Sequence, residues 1–376
     1  MSKILHILFF FALAAVAAAC RKEAAPAPQV PVEFSALVPE AKGAPQLTTL
    51  ERLAAQHFSV SAWYTPEGEC FGAASRPYIR NHRFGLDGAT WRGITAAGTA
   101  DPVYYPLDGT LSYFCYAPYR ADTGATSDIC LTFEPDQAVT DRLPHYLPGS
   151  PLVCFTPEAT PATQIDFIAA TPLLDVGRGA GSIPLDFTAH LTTDVQFWCK
   201  YSGSLDAEEG VVISRIAIRD VIGSEYLYFT EEGGVQGHAW CSSISPLDGG
   251  AEMPVASYIL STQSRDLITE DPYLDGLTAK WVNNTINGRL YLLPQTLPAG
   301  ACLDVTYVVK NRGADSNLDE NVVSLPLSGT PDWPAGKTVR YTITVAVADR
   351  RDVGLSVSIT DWAGAGNTHP GQELMY

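Results

Sequence analysis

The chain has 376 residues, of which 46% are hydrophobic and 17% charged, and a formal net charge of −17. This is a globular composition, long enough for two domains with sizeable cores. The acidic balance, with no basic stripe and no Arg/Lys cluster interleaved with aromatics, excludes nucleic acid as a partner.

Lys3 gives a short positive start. Ile4 to Val16 form an apolar run broken only by His6, and Ala17-Ala18-Ala19 are small residues of the kind a signal peptidase accepts. The run is shorter than the ~20 apolar residues of a comfortable membrane span. A small-residue triplet directly before Cys20 resembles a bacterial lipobox. The resemblance implies a signal peptide over 1–19, cleavage by signal peptidase II between Ala19 and Cys20, and lipidation of Cys20. The alternative is ordinary secretion with Cys20 a bystander. The stretch 20–31 then reads as a lipid-anchored spacer, because its segment AAPAPQVP is Pro/Ala-rich and extended.

Past the spacer, one stretch has a helical look: LTTLERLAAQ over 47–56, with a Thr cap and a Glu soon after. Almost every other apolar run has period two. Examples are VPVEFSAL (30–37), HFSVSAWY (57–64), TLSYFCYAPY (110–119), IPLDFTAHL (183–191), VQFWCKY (195–201) and VVISRIAIRDV (211–221). RLYLLP (289–294), ACLDVTYVV (301–309), TVRYTITVAV (338–347) and GLSVSIT (354–360) continue the pattern. They are rich in Val, Ile, Tyr, Phe and Thr, which suit pleated, half-buried surfaces. Turn signals such as PLDG (106–109) and PLDGG (246–250) separate them. Many short strands with such punctuation predict an all-β protein of sandwich type. The glycine-rich DVGRGAGS (175–182) is the expected boundary between an N-terminal β-sandwich over 32–178 and a C-terminal one over 183–376. A single large β-domain is the weaker reading.

Chemistry-bearing patterns are sparse. Seven cysteines follow Cys20: Cys70, Cys115, Cys130, Cys154, Cys199, Cys241 and Cys302. They are scattered, without a CxxC pair, which argues against zinc. An odd number cannot form a complete disulfide framework; they read as small buried hydrophobes, with one or two disulfides as the alternative. There is no GxSxG, HExxH, GxxxxGK[ST] or EF-hand loop, and the glycine run 177–181 lacks dinucleotide spacing. His190 reads as a satisfied core or interface histidine. The acidic clusters at 206–210 and 231–234 read as solvated loops, and most tryptophans as core anchors. No catalytic residue, metal ligand or cofactor site emerges, so no enzyme is expected.

Several landmarks in order carry a family resemblance. VPVEFSA (30–36) follows the lipobox, and TTLERLAAQHFSVSAWY (48–64) resembles a threonine-leucine segment leading into a strand that ends in an aromatic. PYIRNHRF (77–84) leads to Trp91, and YYPLDGTLSYFCYAPY (104–119) resembles an aromatic-Pro, turn, strand, Ala-Pro signature. IDFIAATP (165–172), LYLLPQTL (290–297), WPAGKTVRYTITV (333–345) and ITDW (359–362) complete the series. Together they resemble the fimbrillin family, the lipoprotein-precursor pilins of type V pili of Gram-negative bacteria, over nearly the whole mature chain.

The resemblance implies two transthyretin-like β-sandwiches in tandem and a lipid-anchored precursor at the outer membrane. It further implies that an Arg-specific protease removes the first strand and that a neighbouring subunit's strand fills the groove. Applied here, VPVEFSAL (30–37) would be the removable strand, and the donor would be Thr338–Val347 or Gly354–Asp361. Between the first strand and residue 57 the one arginine is Arg52, the possible precursor cleavage site, with Lys42 the other basic candidate. If neither is cut, the subunit keeps strand and lipid as an anchor or accessory subunit. The implied partners are other fimbrial subunits, the outer membrane and surface ligands of host or bacteria. A surface glycan-binding β-sandwich lipoprotein is the alternative function; an extracellular hydrolase rests on compartment alone.

Overall fold

The computed structural model describes residues 28–38, 50–121, 128–187, 189–241, 255–261, 267–268, 271–282, 289–312, 320–346 and 353–361. Its first half runs through β1 (Glu33–Leu37), α1 (Leu50–Gln56), β2 (Phe58–Thr65), β3 (Arg76–Asp87), β4 (Thr90–Gly93) and β5 (Thr110–Ala117). Then come β6 (Ile129–Thr132), α2 (Gln137–Thr140), β7 (Leu152–Phe155), β8 (Ile168–Ala169), β9 (Leu173–Gly177), β10 (Ser182–Asp186) and β11 (Ala189–His190). The second half holds β12 (Thr193–Ser202), β13 (Glu209–Ile222), β14 (Glu225–Glu232), β15 (Val235–Trp240), β16 (Val255–Ser261) and β17 (Lys280–Trp281). It ends with β18 (Arg289–Leu292), β19 (Cys302–Asn311), β20 (Glu320–Pro326), β21 (Lys337–Ala346) and β22 (Val353–Asp361). The all-β sandwich architecture expected from the period-two runs is therefore what the chain adopts.

Among the described residues the strands form four sheets. The largest has nine strands in the order β10-β1-β4-β3-β2-β5-β8-β11, with β9 also on β5. Its central strands are buried on both faces. Phe58, Val60 and Ala62 of β2 and Leu111, Tyr113 and Cys115 of β5 point into one cluster with Phe34, Phe84, Trp91 and Phe187. Trp63, Phe114 and Tyr116 point the other way, against Val153, Phe155, Leu227 and Phe229 of the sheet β15-β14-β7-β6.

That double burial departs from the half-buried surface the Ser/apolar alternation of 57–64 predicts. Ser59 and Ser61 are as buried as their apolar neighbours. Asn81 makes this tolerable, since a buried hydroxyl needs a partner. Ser59 donates to Asn81 Oδ1 at 2.5 Å, Tyr116 donates to the same oxygen at 2.9 Å, and the Asn81 backbone N–H donates to Ser61 at 3.1 Å. The expected turn at 106–109 closes on Gly109, whose φ is +68°. A Cβ there would lie 2.2 Å from the Thr65 carbonyl oxygen, so this tight return before β5 requires glycine.

In the second half, β17-β12-β21-β22, with β18 on β12, faces β16-β13-β19-β20. Val195, Phe197 and Cys199 alternate inward with Val339, Tyr341 and Ile343, meeting Ile213, Ile216, Leu303 and Val305 from the other sheet. Inside, Trp333 donates its indole N–H to the Tyr341 hydroxyl at 2.8 Å.

The two halves interlock through hydrogen bonding. β10 pairs with β1 in parallel over Glu33–Leu37, and β11 pairs with β8. The chain then builds β12 and β13, but β14 crosses back to pair with β7. The crossing needs a close approach: a Cβ on Gly223 would sit 2.4 Å from the Cβ of Ala256. Stretch 225–240 of the second half thus extends a sheet begun by the first.

Candidate assembly site

The first strand is internal, not a terminal flap. Upstream of it, the Val32 N–H donates to the Val103 carbonyl at 2.8 Å and the Tyr105 N–H to the Val30 carbonyl at 2.9 Å. From Glu33 onward the strand lies between β10, parallel over five residue pairs, and β4, antiparallel at Phe34 opposite Trp91. Its alternation sends Val32 and Phe34 into the core, with Phe34 wholly buried. Glu33 faces the other way, where Arg92 Nε lies 2.9 Å from its carboxylate and Arg92 Nη1 reaches Asp87 at 2.9 Å.

Phe34 is the hub of an aromatic cluster. Its ring meets Tyr113 and Phe84 at 5.2 Å and Phe58 at 6.0 Å, each edge to face. Phe58 in turn contacts Trp91 at 5.0 Å and Phe187 at 5.4 Å. Removal of β1 would leave two unpaired strand edges flanking a trough floored by these rings. Such an edge offers unsatisfied N–H and C=O groups to any extended segment.

Arg52 lies half-buried on α1, the helix expected over 47–56, described here as Leu50–Gln56. Leu53 anchors that turn in the core, and the His57 N–H closes it on the Leu53 carbonyl at 2.7 Å. His57 takes a left-handed φ of 62°, the conformation that ends a helix. Burial, aided by Arg83, lowers the pKa of the His57 imidazole. Ala19, Cys20 and Lys42 lie outside the described residues, as do Trp362, Val347, most of the spacer and the turn at 246–250.

Of the two donor segments, β21 is held on both sides, parallel to β12 and antiparallel to β22. Among the described residues β22 is an edge strand, paired with β21. Its Val353, Leu355 and Val357 alternate into the core, a period-two face like that of β1.

Buried polar contacts cluster near the junction of the two halves, where the Tyr291 N–H donates to Gln164 Oε1 at 2.8 Å. His190 Nδ1 lies 3.0 Å from the Asp166 carboxylate, the satisfied interface histidine the sequence suggests. Asp194 accepts from Arg289 at 3.1 Å, Gln196 at 2.6 Å and the Thr338 hydroxyl at 2.9 Å. Burial raises the Asp194 pKa against the pull of Arg289. Gln295, in the Leu-Pro-Gln segment, accepts from the Ile222 N–H at 2.7 Å while its backbone pairs with Trp333. Spacing alone could not have exposed this role, because the partner lies in a distant strand. Among the described residues, no helix is long and apolar enough to cross a membrane and no group of three His, Cys, Asp or Glu side chains could hold a metal.

No protein-family model matches the chain, and no curated protein is significantly similar to it. Solved structures are. A fimbrial protein from Bacteroides vulgatus is 16% identical, with a TM-score of 0.61 covering 89% of this chain and 100% of that one. A candidate cell adhesion protein from Bacteroides uniformis is 16% identical, with a TM-score of 0.45 over 90% of this chain and 100% of its own. The chain therefore shares the fold of a fimbrial protein along most of its length, as its ordered landmarks suggested.

Proposed function

We propose that this chain, built on the fold of a fimbrial protein, is a structural and adhesive subunit of a surface fimbria that assembles by strand exchange. The observation that carries the reading is the placement of β1. It is an internal strand, its Phe34 seals the aromatic core, and it is joined to the rest of the fold through a segment that contains Arg52. Cleavage after Arg52 would free β1 and leave the trough between β10 and β4 open. A neighbour's strand with alternating apolar residues would refill it by β-augmentation. β22 is the better donor of the two segments, because it gives up pairing along one edge where β21 would give up two. Before assembly, the precursor would reach the outer membrane through a lipid on Cys20, after cleavage between Ala19 and Cys20.

One observation favours the retained-strand alternative. Arg52 is half-buried within a helical turn, and a protease needs an extended backbone. A chain left uncut would keep β1 and its lipid and serve as an anchor or accessory subunit.

Mass spectrometry of the mature protein from the outer membrane separates these cases. A chain beginning after Arg52, found in SDS-resistant polymers, supports the stalk role; one beginning at acylated Cys20 supports the anchor role. Monomers that never polymerise in cells carrying the matching pilus genes would sink the fimbrial reading.

A further inference from the structure

The connection from β6 to β7, residues 133–151, joins neighbouring antiparallel strands that a hairpin of about 2–5 residues would link. Long irregular connections in compact domains are commonly functional. This one is also held rigid. Asp136 caps α2 by accepting from the Ala138 N–H at 2.8 Å, and Leu143 and Leu147 are buried. The Leu147 N–H donates to the Phe229 carbonyl, and the Glu231 N–H to the His145 carbonyl, each at 2.9 Å. The Tyr146 hydroxyl donates to the Ser150 carbonyl at 2.5 Å. His145 takes a left-handed φ of 55°, a strained conformation for a residue with a side chain, and such strain concentrates at ligand clamps.

What the loop builds is a cleft of about 730 Å³ against the start of β3. That volume is in the range of small-ligand sites, about 300–1,000 Å³. Its lining is divided between two chemistries. Phe133, Tyr146, Pro77, Pro135 and Pro148 supply apolar surface. Arg76, together with Arg80, which pairs with Glu134 at 3.6 Å, offsets Glu134 and Asp141, so the rim carries no surplus charge in a chain whose overall balance is strongly acidic. Gln137 and Asp141 are exposed on this rim, and their side chains make no hydrogen bond to any described residue.

The geometry points to a binding site for a neutral oligosaccharide in the β6–β7 cleft. Sugar rings present apolar C–H faces, which pack on aromatic and proline surface, and hydroxyls that both donate and accept. Gln137 offers an amide donor and acceptor, Asp141 an acceptor, Arg76 donors. Absence of surplus charge disfavours acidic glycans. The loop is already ordered, so binding loses little to ordering. The cleft excludes β1, so the inference does not depend on strand exchange.

Isothermal titration of the folded chain with maltohexaose, xylohexaose and chitohexaose, and with tetragalacturonate as the acidic arm, tests this. Saturable binding of at least one neutral oligosaccharide is expected. It should weaken tenfold or more in a Gln137→Ala/Asp141→Ala variant and in Arg76→Ala, with unchanged melting temperatures. No binding of any neutral probe, preference for the acidic one, or equal binding by well-folded variants overturns the proposal.

Discussion

Phe34 and Tyr113 meet edge to face at 5.2 Å with their planes at 89°, joining the first strand to the central strand of the same sheet. The contact makes β1 part of the core and its removal a costly event. A Phe34→Ala precursor should lose about 3–5 kcal/mol, the cost of truncating a fully buried phenylalanine. Urea unfolding of the intact precursor reads this directly. An unchanged midpoint would mean β1 contributes little to the core.

The proposed processing at Arg52 would have a sharp consequence for substitution. An Arg52→Gln precursor should keep β1 and fail to polymerise, while its melting temperature stays within a few degrees of wild type. Leu53, not Arg52, is the residue that anchors α1. SDS-resistant ladders from the variant would place the cut elsewhere or dispense with it.

A donor role for β22 places demands on its inward face. Leu355→Asp should abolish ladders by putting a charge into the trough. The same change also buries a charge in its own sandwich, where Leu355 is buried. Mixing experiments remove the ambiguity: cleaved wild-type subunits should bind a synthetic peptide of residues 353–361 and reject the same peptide carrying the Asp. Equal capture of both peptides would rule β22 out.

Stability should depend on pH through Glu225, whose carboxyl burial pushes up to about 7, opposed by the Tyr226 N–H. The folded state then holds this proton more tightly than the unfolded state, whose value is near the usual 4.5. The contribution is full below pH 4.5 and disappears as pH rises through 7. A shift of this size corresponds to about 3 kcal/mol. Glu225→Gln should therefore be more stable than wild type at pH 8 by an amount of that order, with the gap closing by pH 4.5. Parallel pH curves for the two proteins would contradict this.

Asp194 and Arg289 form a buried pair, with the Asp194 side chain fully enclosed. Arg289→Met alone should cost about 3–5 kcal/mol by leaving the carboxylate uncompensated, whereas Asp194→Asn/Arg289→Met should recover much of it. Chemical denaturation of these two variants and of Asp194→Asn alone gives the coupling. Additive losses would mean the charges do not interact.

Much of this architecture was legible because side-chain alternation is a local property. The runs at 110–119, 195–201 and 211–221, and the described part of 338–347, coincide with β5, β12, β13 and β21. The helix before His57 was marked by its own residues. What local pattern cannot carry is partnership. Nothing in EYLYFTEE announces that β14 pairs with β7, carrying β15 along, while β13 before them and β16 after them build the other sandwich. Likewise, Ser59 and Ser61 look solvated until Asn81 arrives from β3 to satisfy them. The 133–151 cleft escaped for a related reason: its residues converge through hydrogen bonds to β14, not through spacing.

Under the strand exchange proposed above, the parallel pairing of β1 with β10 would set the direction of assembly. Parallel and antiparallel ladders place their hydrogen bonds differently. A substitute that keeps the ladder must therefore enter in the same direction as the strand it replaces. Each subunit then has one accepting end and one donating end that cannot be exchanged. Head-to-tail contacts of this kind do not close into a dimer; they propagate. Any polymer built this way has a front and a back. It grows by addition at a chemically distinct terminus, and its last member is a subunit that keeps its own first strand.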